Sequence, residues 1–143
     1  MSRGLGVVYK RLDALCAELA CDRITEEEKQ RLKEACDEFE KATATGDATI
    51  IAAADVALHD IIVEATRNKR LIQMINNLSE QMYRYRFEYI KEENQHNNLV
   101  EEHRMIYESI VHRDKEGAAR ATKLHIDNQE SSIIRQLRAE TNS

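Results

Sequence analysis

The chain has 143 residues, a formal charge of −5, four glycines and no proline. That length fits one domain with a core of its own, and a composition rich in Ala, Glu, Leu, Lys and Arg without helix breakers is that of long helices. The acidic balance excludes a nucleic-acid surface on this segment, since phosphate backbones are held by clustered Lys and Arg. The lack of an apolar run of about 18 residues argues against a membrane span.

Residues 1–6 contain Gly4 and Gly6 and no periodicity, so they are expected to be a frayed leader or the end of a linker. A first helix is predicted from Val7 to Cys21, with Val8, Leu12, Leu15 and Leu19 on its apolar face. Thr25-Glu26-Glu27-Glu28 then forms a capping box, the Thr25 hydroxyl placed for the Glu28 amide and the Glu28 side chain reaching back. It opens a second helix whose inward positions are Leu32, Ala35, Cys36 and Phe39. Gly46 supplies a left-handed cap at its end, and Asp47 can cap a third helix that stops near Arg67-Asn68.

A long fourth helix is predicted from Lys69 to Glu92, with Leu71, Ile75, Leu78, Met82, Tyr85 and Tyr89 as its buried stripe. At about 100° per residue, Arg86 falls within about 60° of the centre of that stripe and Arg84 points away. Glu93 to Asn98 has no apolar anchor and reads as a loop or helix junction. A fifth helix, Leu99 to His112, presents Leu99, His103, Ile106, Tyr107 and Ile110 on one face. Asp114 can cap the sixth, which runs from Lys115 to a tail expected to fray at Thr141-Asn142-Ser143. Its face through Ala118, Ala121, Thr122, His125, Gln129 and Ser132 is small and polar, which suits the wall of a cavity. No internal repeat or sustained heptad appears. The expected fold is all-α, an antiparallel bundle forming one domain over residues 1–143.

Cys16, Cys21 and Cys36 are odd in number and lack C-x-x-C spacing. Without a signal peptide, they read as reduced thiols of a cytoplasmic protein, Cys16 being a small core residue.

The chemistry-bearing residues gather on the inward faces. Asp55 and His59 lie one turn apart at the edge of the stripe formed by Ile51, Ala54, Leu58, Ile62 and Ala65, so they either pair with each other or share a metal. His103 and His125 add two more inward imidazoles from other helices. Oxygen and imidazole donors without thiolate suit zinc first, with nickel, manganese or iron as alternatives. One carboxylate and three neutral imidazoles leave a divalent ion with a net charge of about +1, which attracts an anion. A ligand carboxylate could fill the open coordination positions while Arg86 pairs with a second carboxylate. Asn128, near His125, could donate to the same ligand. His96 and His112, at helix ends, are expected to be solvated.

Asp-x-x-x-His in one helix, Glu-Glu-His-Arg-x-Ile at 101–106, Arg-Asp-x-x-x-Ala-Ala at 113–119 and the last histidine together resemble the FCD domain. This is the C-terminal effector-binding half of FadR-type regulators in the GntR superfamily. Asn68-Lys69-Arg70-Leu71 and Gly46-Asp47 also resemble that family's helix junctions. The resemblance implies a bundle of six or seven helices, a metal at Asp55, His59, His103 and His125, a small organic-acid effector above it, and a homodimer. It implies DNA binding only through a winged helix-turn-helix domain that this chain lacks, which leaves an excised effector domain or a stand-alone sensor.

The competing reading is a mononuclear metal-dependent enzyme, in which an open metal position activates water. It needs a general base, and the candidates are Asp60 and Glu102. A di-metal carboxylate bundle needs repeated Glu-x-x-His motifs, of which only Glu93-Asn94-Gln95-His96 is present. A purely structural adaptor would leave the inward histidines unexplained.

Overall fold

The computed structural model describes residues 3–141. Among them seven α-helices and one 3-10 turn follow in chain order, with no strand. Helix α1 is Arg3–Arg23, α2 Glu26–Thr43, α3 Ala48–Ala65, α4 Lys69–Asn77, α5 Ser79–Ile90, α6 His96–Val111 and α7 Lys115–Thr141; the 3-10 turn is Glu93–Gln95. Helix α7 is the central element, packing on α1, α5 and α6, while α2 lies on α3 and α6, and α3 also meets α1 and α5.

The punctuation read from the sequence forms as chemistry requires. The Thr25 hydroxyl accepts from the Glu28 amide at 3.1 Å, and the Glu28 carboxylate accepts from the Thr25 amide at 2.9 Å. Asp47 accepts from the Thr49 and Ile50 amides at the start of α3, Asn68 from the Leu71 amide at the start of α4, and Asp114 from the Gly117 amide at the start of α7. Each satisfies donors that the first helical turn leaves open. Gly46 turns the chain after α2 at φ 68°, where a side chain would be strained.

Five expectations need correction. Residues 3–6 are helical and belong to α1, whereas Met1, Ser2, Asn142 and Ser143 lie outside the described residues. The buried residues of α1 are Tyr9, Asp13, Ala14, Cys16, Ala17, Ala20 and Cys21; Val8 and Leu15 are exposed, and Leu12 and Leu19 are only partly covered. The reason is the partner: α7 offers Ala118, Ala121 and Thr122 on its buried face, and a close approach of two backbones selects small side chains over leucine.

The expected long fourth helix breaks at Leu78, whose φ and ψ are −102° and 3°. Its amide bonds Ile75 O, three residues back, instead of continuing the four-residue pattern, after Asn76 and Asn77, which are weak helix formers. The break lets Leu71 and Ile75 on α4 and Met82, Tyr85 and Tyr89 on α5 each reach the core. Finally, α6 begins at His96, three residues earlier than expected, and His96 is half-buried with its Nε2 2.8 Å from Ile90 O. His112 is exposed, as anticipated.

Candidate metal centre

Helices α3, α6 and α7 bring Asp55, His59, His103 and His125 to one point in the middle of the bundle. All four are buried, and each offers one ligand atom, all lying within 4.8 Å of one another. His103 Nε2 is 3.0 Å and His59 Nε2 3.3 Å from Asp55 Oδ1. Neither ring nitrogen makes a hydrogen bond there, and Asp55 Oδ2 is likewise buried without a hydrogen-bond partner. Buried polar groups in folded proteins are nearly always satisfied, so this concentration of unsatisfied donors and acceptors fits a metal ion at their common point. The cluster is able to hold one.

Electrostatics favour the ligating forms. Burial pushes His103 down to about 4, against an opposing pull from Asp55, so its imidazole is neutral and its lone pair available at neutral pH. For Asp55, burial works upward but is outweighed by His59, His103 and Arg86, which hold the carboxyl well below its usual range. A stability profile follows for the metal-free domain. Histidine in the unfolded chain titrates at 6.5 and His103 in the folded one at about 4, so the unfolded state binds this proton first. Stability is therefore complete above pH 6.5 and lost as pH falls toward 4, by up to about 3 kcal/mol at about 1.4 kcal/mol per pH unit. Urea unfolding of apo-protein across that window should show the loss; a flat profile would contradict it.

Around the four lies a second ring of side chains. Glu102 is buried and joins three donors: His125 Nδ1 lies 2.6 Å from Oε1, and Tyr89 Oη (2.9 Å) and Asn128 Nδ2 (2.7 Å) donate to Oε2. A carboxylate accepts, so the His125 proton sits on Nδ1 and its Nε2 keeps a lone pair. Arg86 is buried as its position in the helix stripe implied, and Arg84 is exposed. The Arg86 Nε donates to Tyr9 Oη at 2.9 Å and is 3.7 Å from Asp55 Oδ2. Burial disfavours its charge, but Tyr9, Asp55 and Asp13 more than compensate, so it stays a cation.

The structure thus gathers every sequence-selected site residue, with Asn128 half-buried against Glu102. Sequence reasoning missed Tyr9 and Asp13, because it placed the wrong face of α1 inward, and assigned Glu102 no place beside His125. Spacing alone carried both signals: Tyr9, Asp13, Cys16, Ala17 and Ala20 follow helical periodicity, and Glu102 lies three residues from Leu99 and four from Ile106. Of the two bases considered for an enzyme, Asp60 is exposed and Glu102 is committed to its three donors. The three cysteines are buried, and burial pushes Cys16 up to about 12 and Cys21 and Cys36 to about 11, so none is a reactive thiolate.

The cavity adjoining the centre, bounded by Asp13, Ala17, His59, Ile62, Ile106 and Thr122, measures only about 10 Å³, room for about one water. A larger groove of about 330 Å³ runs along α5 and α7 past Tyr83, Phe87 and Ile133 and includes none of the four clustered residues. No described helix is long and apolar enough to cross a membrane.

The described residues form an all-helical bundle closed around a buried set of one carboxylate and three imidazoles. The chain belongs to the FCD domain family, whose family model matches residues 5–128. It is 25% identical over 118 residues to the uncharacterized HTH-type transcriptional regulator YdhC of Bacillus subtilis (strain 168), a match spanning 82% of this chain and 53% of that protein. The chain thus covers about half the length of that curated relative. The solved structure of E. coli McbR/YncC shares the fold, with a TM-score of 0.83 at 16% identity over 93% of this chain and 67% of that one. The family and these relatives give the enzyme reading no support.

Proposed function

We propose that this domain senses a small carboxylic acid at a divalent metal ion held by Asp55, His59, His103 and His125, and that the bound acid modulates DNA binding by a winged helix-turn-helix domain of the full regulator. The observation that carries the reading is the convergence of four buried ligand atoms within 4.8 Å. Zinc suits the donor set first, and nickel, manganese or iron remain compatible. When bound, the ion supplies a positive centre with open positions for an anion.

Arg86 is the proposed second anchor. Its planar guanidinium, buried and held among the described residues by Tyr9 and a 3.7 Å approach to Asp55, can transfer to an incoming carboxylate. Asn128, beside Glu102, is placed to contribute an amide hydrogen. Because the adjoining cavity is about 10 Å³, an organic acid must displace side chains to enter. Arg86 is bonded to Tyr9, so entry disturbs α1 directly.

A cytoplasmic homodimer completes the proposal. Val8 and Leu15, 47% and 42% exposed, continue through partly covered Leu12 and Leu19 as an apolar seam on α1 that a second copy would cover. The mass of the native assembly tests this part.

A melting-temperature screen of organic acids, with and without metal, tests the sensing proposal. Hydroxy and dicarboxylic acids should stabilise the metal-loaded domain and leave the metal-free domain unmoved, while neutral sugars should do nothing. Arg86→Ala should weaken the best acid by about 1.5–3 kcal/mol, the worth of a charged hydrogen bond. A best ligand without charge, or equal binding to metal-free protein, would contradict the proposal.

A further inference from the structure

Gln129 is fully buried one turn beyond His125 on α7, and its Oε1 has no hydrogen-bond partner. Its Nε2 lies 3.1 Å from His125 Nε2. With the His125 proton fixed on Nδ1 by Glu102, that contact is an amide hydrogen resting on the lone pair a metal would use. The arrangement is self-consistent only without an ion. Once the lone pair is given to a cation, the amide hydrogens face positive charge, and a half-turn about the Cγ–Cδ bond exchanges them for the unpartnered oxygen.

We propose that Gln129 is a fifth protein ligand of the centre, through Oε1, an inference that rests on the four-residue metal site. The spacing supports it. Two atoms each about 2.1 Å from one ion and at right angles are about 3.0 Å apart, whereas a tetrahedral pair is about 3.4 Å apart. The edges formed by Asp55 with His103 and His59 are 3.0 and 3.3 Å, and the His125–Gln129 edge is 3.1 Å. The two helices also supply donors in the same way: Asp55 and His59 on α3, and His125 and Gln129 on α7, are each four residues apart. A five-protein-ligand, oxygen-bearing sphere favours ions that accept five or six ligands over a closed tetrahedral site. It leaves one position for an effector.

Competition titration of the full 143-residue chain with Zn²⁺ or Mn²⁺ against a chelator of known affinity tests the proposal in wild type, Gln129→Met and Gln129→Glu. Methionine keeps the volume and removes the oxygen, so affinity should fall by about tenfold or more. Glutamate adds charge to the ligating oxygen and should bind more tightly than wild type. Met binding as well as or better than wild type would show that the amide merely covers His125, and Glu binding no tighter would show that residue 129 does not face the ion; either overturns the fifth ligand while leaving the four-residue centre intact. A wild-type chain that takes up no metal overturns both.

Discussion

Saturating the metal-free domain with a divalent ion should raise its melting temperature by on the order of 8 °C, and His103→Ala should remove that rise. An ion present at about 100 times its dissociation constant stabilises the folded state by about 2.7 kcal/mol, and for a chain of this size each kcal/mol moves the midpoint by roughly 3 °C. His103 is the ligand to remove because it lies at the middle of the set, 3.0 Å from Asp55 and with ring centres 5.4 and 5.1 Å from those of His59 and His125. The substitution also leaves a hole beside Phe39, whose ring centre is 4.3 Å from the imidazole, so the metal-free variant will melt at a different temperature from wild type. The readout is therefore the increment on adding metal, which should vanish in the variant. A full increment in His103→Ala would contradict the site.

Glu102→Ala should cost about 3–5 kcal/mol, because donors that lose a charged acceptor inside a protein cost about 1–3 kcal/mol each. His125 Nδ1, Tyr89 Oη and Asn128 Nδ2 all converge on this carboxylate, and alanine leaves the first two without an acceptor in the buried interior while half-buried Asn128 can turn to water. Glu102→Gln separates stability from metal binding. The glutamine oxygen can still accept from Tyr89 or Asn128, but its NH₂ then opposes the proton on His125 Nδ1. That proton moves to Nε2, where it blocks the lone pair aimed at the centre. The Gln variant should fold with a modest penalty and bind metal about 10–100-fold more weakly. Chemical denaturation and metal titration read the two effects independently. Metal affinity equal to wild type in Glu102→Gln would show that Glu102 does not set the tautomer.

The inward placement of these four residues was legible because helical periodicity reports direction: three histidines and an aspartate on otherwise apolar or small faces stand out against the rule that such groups avoid the core. Caps at Thr25, Asp47 and Asp114 were legible for a related reason, since a side chain that must satisfy open amides leaves a fixed spacing behind it. The α1 face was not. Leucine outweighs alanine in any hydropathy reading, yet the bundle places Ala17 and Ala20 inward because α7 approaches closely with Ala118 and Ala121, a property of the pair that neither helix encodes alone. The Leu78 break was hidden because two asparagines disfavour a helix only mildly, and tertiary docking of α4 and α5 decides the outcome. Glu102 was set aside by its charge, although its spacing from Leu99 and Ile106 pointed inward; only the structure shows that three donors make its burial tolerable.

Whether Asp55, His59, His103 and His125 hold one divalent ion can be read from a native mass spectrum of the protein purified without added metal. The expected spectrum shows an assembly of two chains carrying about one ion per chain, lost from His103→Ala. A wild-type spectrum that shows no bound ion even after reconstitution with zinc, nickel, manganese and iron in turn would contradict it.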